Sequence, residues 1–195
     1  MPPERRSSTL SLVERFSSSL AWWRAARPDV VSDPEVAQLL PRAEAFVAAA
    51  APAFDRLNRF ALVHGDLIVT NILVDDAGTP RYVDWEWSEI GDPAHDLAML
   101  GGQVASRPCY LSLDRGRIRS LLAAYLRHAT SLQDETLDSL ETRRGAWEVF
   151  DRFFCSLHFR TRRGTPEDRT GRYSRAVADL TAGLDRRLRA AQAKG

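Results

Sequence analysis

Apolar residues recur at helical spacing along most of the chain and at strand spacing over one short central stretch. From Leu10 to Ala26, the residues Leu10, Val13, Phe16, Leu20 and Trp23 share a face, and Ser11 with Glu14 forms a capping pair. Pro28 is expected to close that helix. A second helix is predicted from Ser32 or Asp33, with Pro34 at its first position. It turns Val36, Leu39, Leu40, Ala43, Phe46 and Val47 inward until Pro52. Ala61 to Val63 is a short apolar run. Ile72 to Val74 and Arg81 to Asp84 read as strands joined by the turn-forming Asp75 to Pro80. Asp92 and Pro93 start a helix through Asp96 to Val104, weakened at its end by Gly101 and Gly102. After Asp114 the pattern is helical. Ile118, Leu121, Leu122 and Tyr125 share one face, and Leu137, Leu140, Trp147, Phe150 and Phe154 another. Tyr173, Val177, Leu180, Leu184 and Leu188 follow a restart at Thr165 and Pro166. These faces, and the pair Trp22 and Trp23, read as core. The prediction is one domain over 1–195: leading helices (1–60), a loop and hairpin segment (61–96) and a helical subdomain (97–195).

The middle segment carries the candidate chemistry. In HGDLIVTNILVDDAGTPRYVDWEWSEIGDPAHD, residues 64–96, Asp66 is followed five residues later by Asn71, and Asp84 ends the next apolar run. Phosphoryl transfer asks a protein mainly to place a carboxylate at the attacking hydroxyl and to hold Mg²⁺ against the phosphates. Asp66 suits the first task. Asn71 and Asp84 suit the second, because Mg²⁺ prefers hard oxygen ligands and takes few of them from protein. His64, Asp66 and Asn71 reproduce the spacing of the protein-kinase catalytic loop. A hairpin of this length returns Asp84 beside Asn71. Asp84 also stands at the inner end of an apolar strand before Trp85 and Trp87, where an unpaired, unligated charge would be costly. Glu86 is either a supporting residue of that site or solvent-exposed. A rival reading makes His64 and Asp66 a hydrolase metal pair, but it needs further His ligands. His95, His128 and His158 stand in helical contexts without matching spacing.

The motifs HGDLIVTN, YVDWEW and GDPAHDLA, in that order, resemble the aminoglycoside phosphotransferase and choline kinase group of small-molecule kinases, whose fold is similar to that of protein kinases. The resemblance implies that Asp66 is the catalytic base and that Asn71 and Asp84 hold Mg²⁺ and the nucleotide. It also implies that Asp96 is a buried brace of the catalytic loop, that His64 orients that loop, and that ATP is the co-substrate. Ile68 and Val69 stand where many relatives have His and Pro. The implied fold is α+β and mostly helical: the C-terminal lobe of a protein-kinase-like fold, with a small hairpin sheet carrying the catalytic loop and the smaller N-terminal lobe absent. A full kinase also uses a strand-rich lobe with a glycine-rich loop and a lysine on the phosphates. Nothing before His64 supplies these, and of 27 basic residues only Lys194 is a lysine. Arginine is no simple substitute for that compact ammonium.

Three explanations stay open: a gene start placed too late, a kinase-derived module that binds or scaffolds without catalysis, and a split enzyme whose N-lobe is another chain. A helical lobe built to sit under a second one is expected to expose an apolar patch.

The net charge is +1, which gives no basic excess for nucleic acid or an anionic membrane. Cys109 and Cys155 lie outside metal-binding spacings, and no apolar run approaches membrane-spanning length. A reduced, soluble, cytoplasmic protein is expected. The partner expected from the resemblance is a small hydroxylated molecule, such as an aminoglycoside, choline or a sugar. Asp134, Glu135, Asp138, Glu141, Glu148 and Asp151 read either as attractors of a polycation or as helix-surface charges paired with arginines, and the arginine pairs at Arg143, Arg162 and Arg186 read as solvated faces.

Overall fold

The computed structural model describes residues 11–55, 57, 60–129 and 135–193. Leu10, Asp134 and Lys194 lie outside them.

Helix α1 (Leu12–Ala26) opens with the capping box read from the sequence. Ser11 Oγ accepts the Glu14 N–H at 3.2 Å, and Glu14 Oε2 accepts the Ser11 N–H at 2.7 Å. Its buried face is Leu12, Phe16, Leu20 and Trp23, with Val13 only half-buried. Pro28 begins the short α2 (Pro28–Val31) after α1 has ended. Helix α3 (Pro34–Ala49) is capped by Asp33 with Pro34 first, and buries Val36, Leu39, Ala43 and Val47. The short α4 (Ala51–Phe54) follows.

Three two-residue or three-residue strand pairs come next. The first, β1 (Ala61–Val63), runs antiparallel to β4 (Glu89–Gly91), a pairing the sequence pattern did not show. Between them, β2 (Ile72–Val74) and β3 (Pro80–Tyr82) form the expected hairpin, with Ile72 opposite Tyr82. After α5 (Ala94–Met99), β5 (Gly101–Gly102) pairs in parallel with β6 (Leu111–Ser112). The predicted helix to Val104 therefore stops early. Gly101 has φ 152°, and a Cβ at Gly102 would overlap the Glu148 carboxylate, so both glycines serve an extended close approach.

Helices α6 (Arg115–His128), α7 (Leu137–Arg162) and α8 (Arg172–Gln192) complete the chain. Helix α7 lies at the centre and packs against α3, α5, α6 and α8. Phe16 of α1 meets its Phe150, Phe153 and Phe154 at ring-centroid distances of 5.0–6.1 Å. Trp22 and Trp23 do pack with the core.

The reading of α7's charges as a solvated face is overturned. Arg143 and Glu148 are each 1% exposed, and Arg144, Arg152 and Arg160 are also buried. The physical reason is the short α5, whose last carbonyls have no intrahelical partners. Arg144 donates to Leu97 O at 3.3 Å and to Gly101 O. Arg152 donates to Ala98 O at 2.9 Å and to Val104 O at 3.2 Å. Glu148 balances Arg144 at 2.7 Å and accepts the Val104 N–H at 2.7 Å. Arg143 ties Asp92 (3.0 Å) to Glu135 (2.7 Å). Asp138, Arg162 and Arg186 remain on the surface. Among the described residues no helix is long and apolar enough to cross a membrane.

Candidate functional site

Strand β1 delivers the chain to His64, which is 2% exposed and held from three sides. Its backbone N–H donates to Asp96 Oδ2 at 2.7 Å, and the next N–H, of Gly65, donates to Asp96 Oδ1 at 2.9 Å. One carboxylate on the first turns of α5 thus clamps two consecutive amides of the loop. The His64 ring lies 2.8 Å by Nε2 from Val83 O, and its Nδ1 accepts the Asp66 N–H at 3.4 Å. A carbonyl only accepts, so these contacts fit the tautomer with its proton on Nε2. The ring also lies against Trp85, with centroids 4.6 Å apart. Gly65 has φ +77°, and a Cβ there would overlap the Trp87 carbonyl oxygen, so the loop needs glycine at this place. Burial pushes the Asp96 carboxyl above the ordinary aspartate range, against the pull of its two backbone bonds.

From there Asp66 leads into a 3₁₀ turn, Val69–Asn71. Asn71 is buried and uses both hydrogens of its amide on Asp66, reaching Asp66 O at 2.9 Å and Oδ2 at 3.1 Å. Among the described residues no donor reaches Asn71 Oδ1, which leaves that oxygen for another partner. The ladder of β2 and β3 continues past the strands, with Val83 N–H donating to Asn71 O at 3.1 Å. Asp84 therefore comes one residue beyond Asn71's own partner, as the hairpin length predicted.

Its surroundings differ from expectation. Asp84 is exposed, as are Val83, Trp85 and Glu86, so the cost of burying a charge is not what marks it. What marks it is the backbone: φ 68°, ψ 57°, the one non-glycine residue with positive φ among those described. Asp tolerates this conformation better than most residues, yet holding it costs on the order of 1 kcal/mol. Among the described residues no hydrogen bond or ion pair engages its carboxylate.

The flank of Asp66 was not foreseen. Cys109 O accepts the Val69 N–H at 3.1 Å, which places the 103–110 segment against the loop. Burial, and then the nearby charge of Asp66, push the Cys109 thiol up. Beyond it, Tyr110 Oη donates to Asp151 at 3.1 Å and lies 3.4 Å from Cys155 Sγ, and Cys155 is pushed up to about 12, mainly by burial. No sequence signal links Cys109 to Val69 across the long segment between them. The hydrolase reading gains nothing: among the described residues no three His, Cys, Asp or Glu side chains gather as a metal cluster, and His95 is stacked on Trp147.

A family model described as the phosphotransferase enzyme family matches residues 2–140. The chain belongs to that family. Among solved structures, the chain is similar to a thermostable mutant of the aminoglycoside phosphotransferase APH(4)-Ia in its apo form, at 18% identity and a TM-score of 0.56. The match covers 90% of this chain and 52% of that one, so the chain spans about half the length of the structure it resembles. At this identity the likeness is one of fold. It is the expected fold, mostly helical with small sheets and of protein-kinase-like type. No curated protein sequence matches the chain.

Proposed function

We propose that this protein takes part in moving the γ-phosphate of ATP to a hydroxyl of a small molecule, with Asp66 as base and with Asn71 and Asp84 holding Mg²⁺. The observation that carries this reading is the amide of Asn71. Its two N–H groups fix the Asp66 carboxylate and backbone, while among the described residues nothing engages its Oδ1 or the Asp84 carboxylate at the adjoining hairpin end. One carboxylate is thereby oriented for an acceptor proton, and two hard oxygens are left for a divalent cation. Such a donor pair fits Mg²⁺, which keeps several waters and takes phosphate oxygens as its other ligands. When bound, the ion offsets the charge crowding the transferred phosphoryl group.

The protein's own steps are these. Asp66, steadied by Asn71, accepts a hydrogen bond from the acceptor hydroxyl, aligns its oxygen for in-line attack and takes the proton late. His64 and Asp96 keep the loop in place and touch neither substrate. Leu73, Val74, Tyr82 and Val83 expose apolar surface along the same hairpin, suited to cover a nucleobase. The fixed amide favours this reading over a module that only binds, since a scaffold has no use for an oriented carboxylate.

Calorimetric titration of Mg²⁺ and ATP into the 195-residue protein tests it. Binding is expected, retained in Asp66→Ala and lost in Asp84→Ala. Equal loss in both variants contradicts the separate roles, and no binding to wild type removes the reading for this chain.

A further inference from the structure

A cleft of about 720 Å³ lies between α3, α6, α7 and α8, with no residue of the 61–100 segment in its wall. That volume is in the range of small-molecule sites. Phe46, Ala49, Ile118 and Leu188 give it apolar walls. Its charges are nearly all spent on each other. Asp138 and Glu141 bond arginines of α6, Glu148 bonds Arg144, and Arg42 bonds Asp185 at 2.8 Å.

Arg187 is the remainder. Among the described residues its guanidinium makes no hydrogen bond or ion pair, and its Nε is buried without a partner. The group lies over the Phe46 ring, with Cζ 4.9 Å from the ring centroid, and close to α7 at Gly145, where a Cβ would come within 3.1 Å of Nη2. Burial lowers its proton affinity; Glu148 and Glu141 act against this from a distance, and Arg144 and Arg115 add to it. A half-buried cation with unfilled donors is costly, and a carboxylate offered to its planar fork would satisfy it with two parallel bonds.

We propose that this cleft is a second ligand site, separate from the Asp66 loop, for a small monoanion with an apolar body, its acid group on Arg187 and its body against Phe46 and Leu188. One surplus positive charge among paired carboxylates selects a single negative charge; a di- or trianion would face Glu141, Glu148 and Asp138 without further cations to meet it.

The probe is 4-phenylbutyrate, compared by calorimetry with 4-phenylbutanol and 4-phenylbutylamine, which share the body and change only the head. Saturable binding of the acid is expected, about tenfold or more tighter than the alcohol, the worth of one charge-assisted pair. Arg187→Gln should remove that preference. Ala49→Trp, which fills the cleft from α3 and leaves the charge in place, should weaken the acid by a similar factor, so the location is tested even if the arginine variant fails to fold. Asp66→Asn should bind the acid like wild type. No saturable binding to wild type, alcohol binding as tight as acid, wild-type binding in both cleft variants, or loss in Asp66→Asn would each overturn the proposal.

Discussion

Asp96→Asn tests how the loop is held. The carboxylate accepts two consecutive backbone N–H groups, at 2.7 and 2.9 Å, with one oxygen each. An asparagine keeps a single acceptor and turns an NH₂ toward the other donor. Losing one bond to a charged group in a partly buried place costs about 1.5–3 kcal/mol. Relief from burying a charge offsets part of this, because burial is the main cause of the raised Asp96 proton affinity. A net local loss of about 1.4 kcal/mol or more is expected, which corresponds to about tenfold faster amide exchange. Native-state hydrogen exchange read at His64 and Gly65, with α7 amides as the internal reference, measures it. Unchanged exchange at both amides would refute the clamp.

The pH dependence has a definite sign. The folded state binds the Asp96 proton more tightly than the unfolded chain does, so this group's contribution is fully present below the ordinary aspartate range and is lost as pH rises through the folded value. Asparagine does not titrate. The stability gap between wild type and variant should therefore widen on acidification, measured by urea unfolding at a series of pH values, and a narrowing gap would contradict the reasoning.

Gly65→Ala should destabilise by about 2 kcal/mol or more in urea unfolding, because positive φ and overlap with the Trp87 carbonyl add together. Glu148→Ala should cost about 3–5 kcal/mol in the same assay, since it strands the buried Arg144 and leaves the Val104 N–H without its acceptor. Asp84→Gly should unfold at the same or a higher temperature, as it relieves a left-handed aspartate, while losing the binding of Mg²⁺ and ATP; a clearly lowered midpoint would show that Asp84 has a structural partner.

The parts legible in the sequence were those governed by local rules. The Ser11 and Glu14 box, Asp33 before Pro34, and the hairpin from Ile72 to Tyr82 all depend on residues a few positions apart. So does the return of Asp84 to Asn71. The loss came wherever distant segments meet. Periodicity gave α7 an amphipathic face and assigned its arginines to water. Nothing local said that a short α5 would present open carbonyls to Arg144 and Arg152. The pairing of β1 with β4, and the approach of Cys109 to Val69, were hidden for the same reason. Spacing and hairpin length picked Asp84, but the burial also argued for it is absent, and its left-handed backbone cannot be seen in composition or spacing. Phe60, Leu62, Trp85 and Ile90 are exposed, as are Leu73, Val74, Tyr82 and Val83 of the hairpin.

The arginine-filled interior of α7 gives the protein a resistance to alkali. A guanidinium keeps its proton in any ordinary alkaline buffer. The ties from Arg143, Arg144 and Arg152 therefore outlast conditions that would discharge buried lysines. The interior held by these ties should therefore withstand alkaline solution far better than a lysine-built equivalent would.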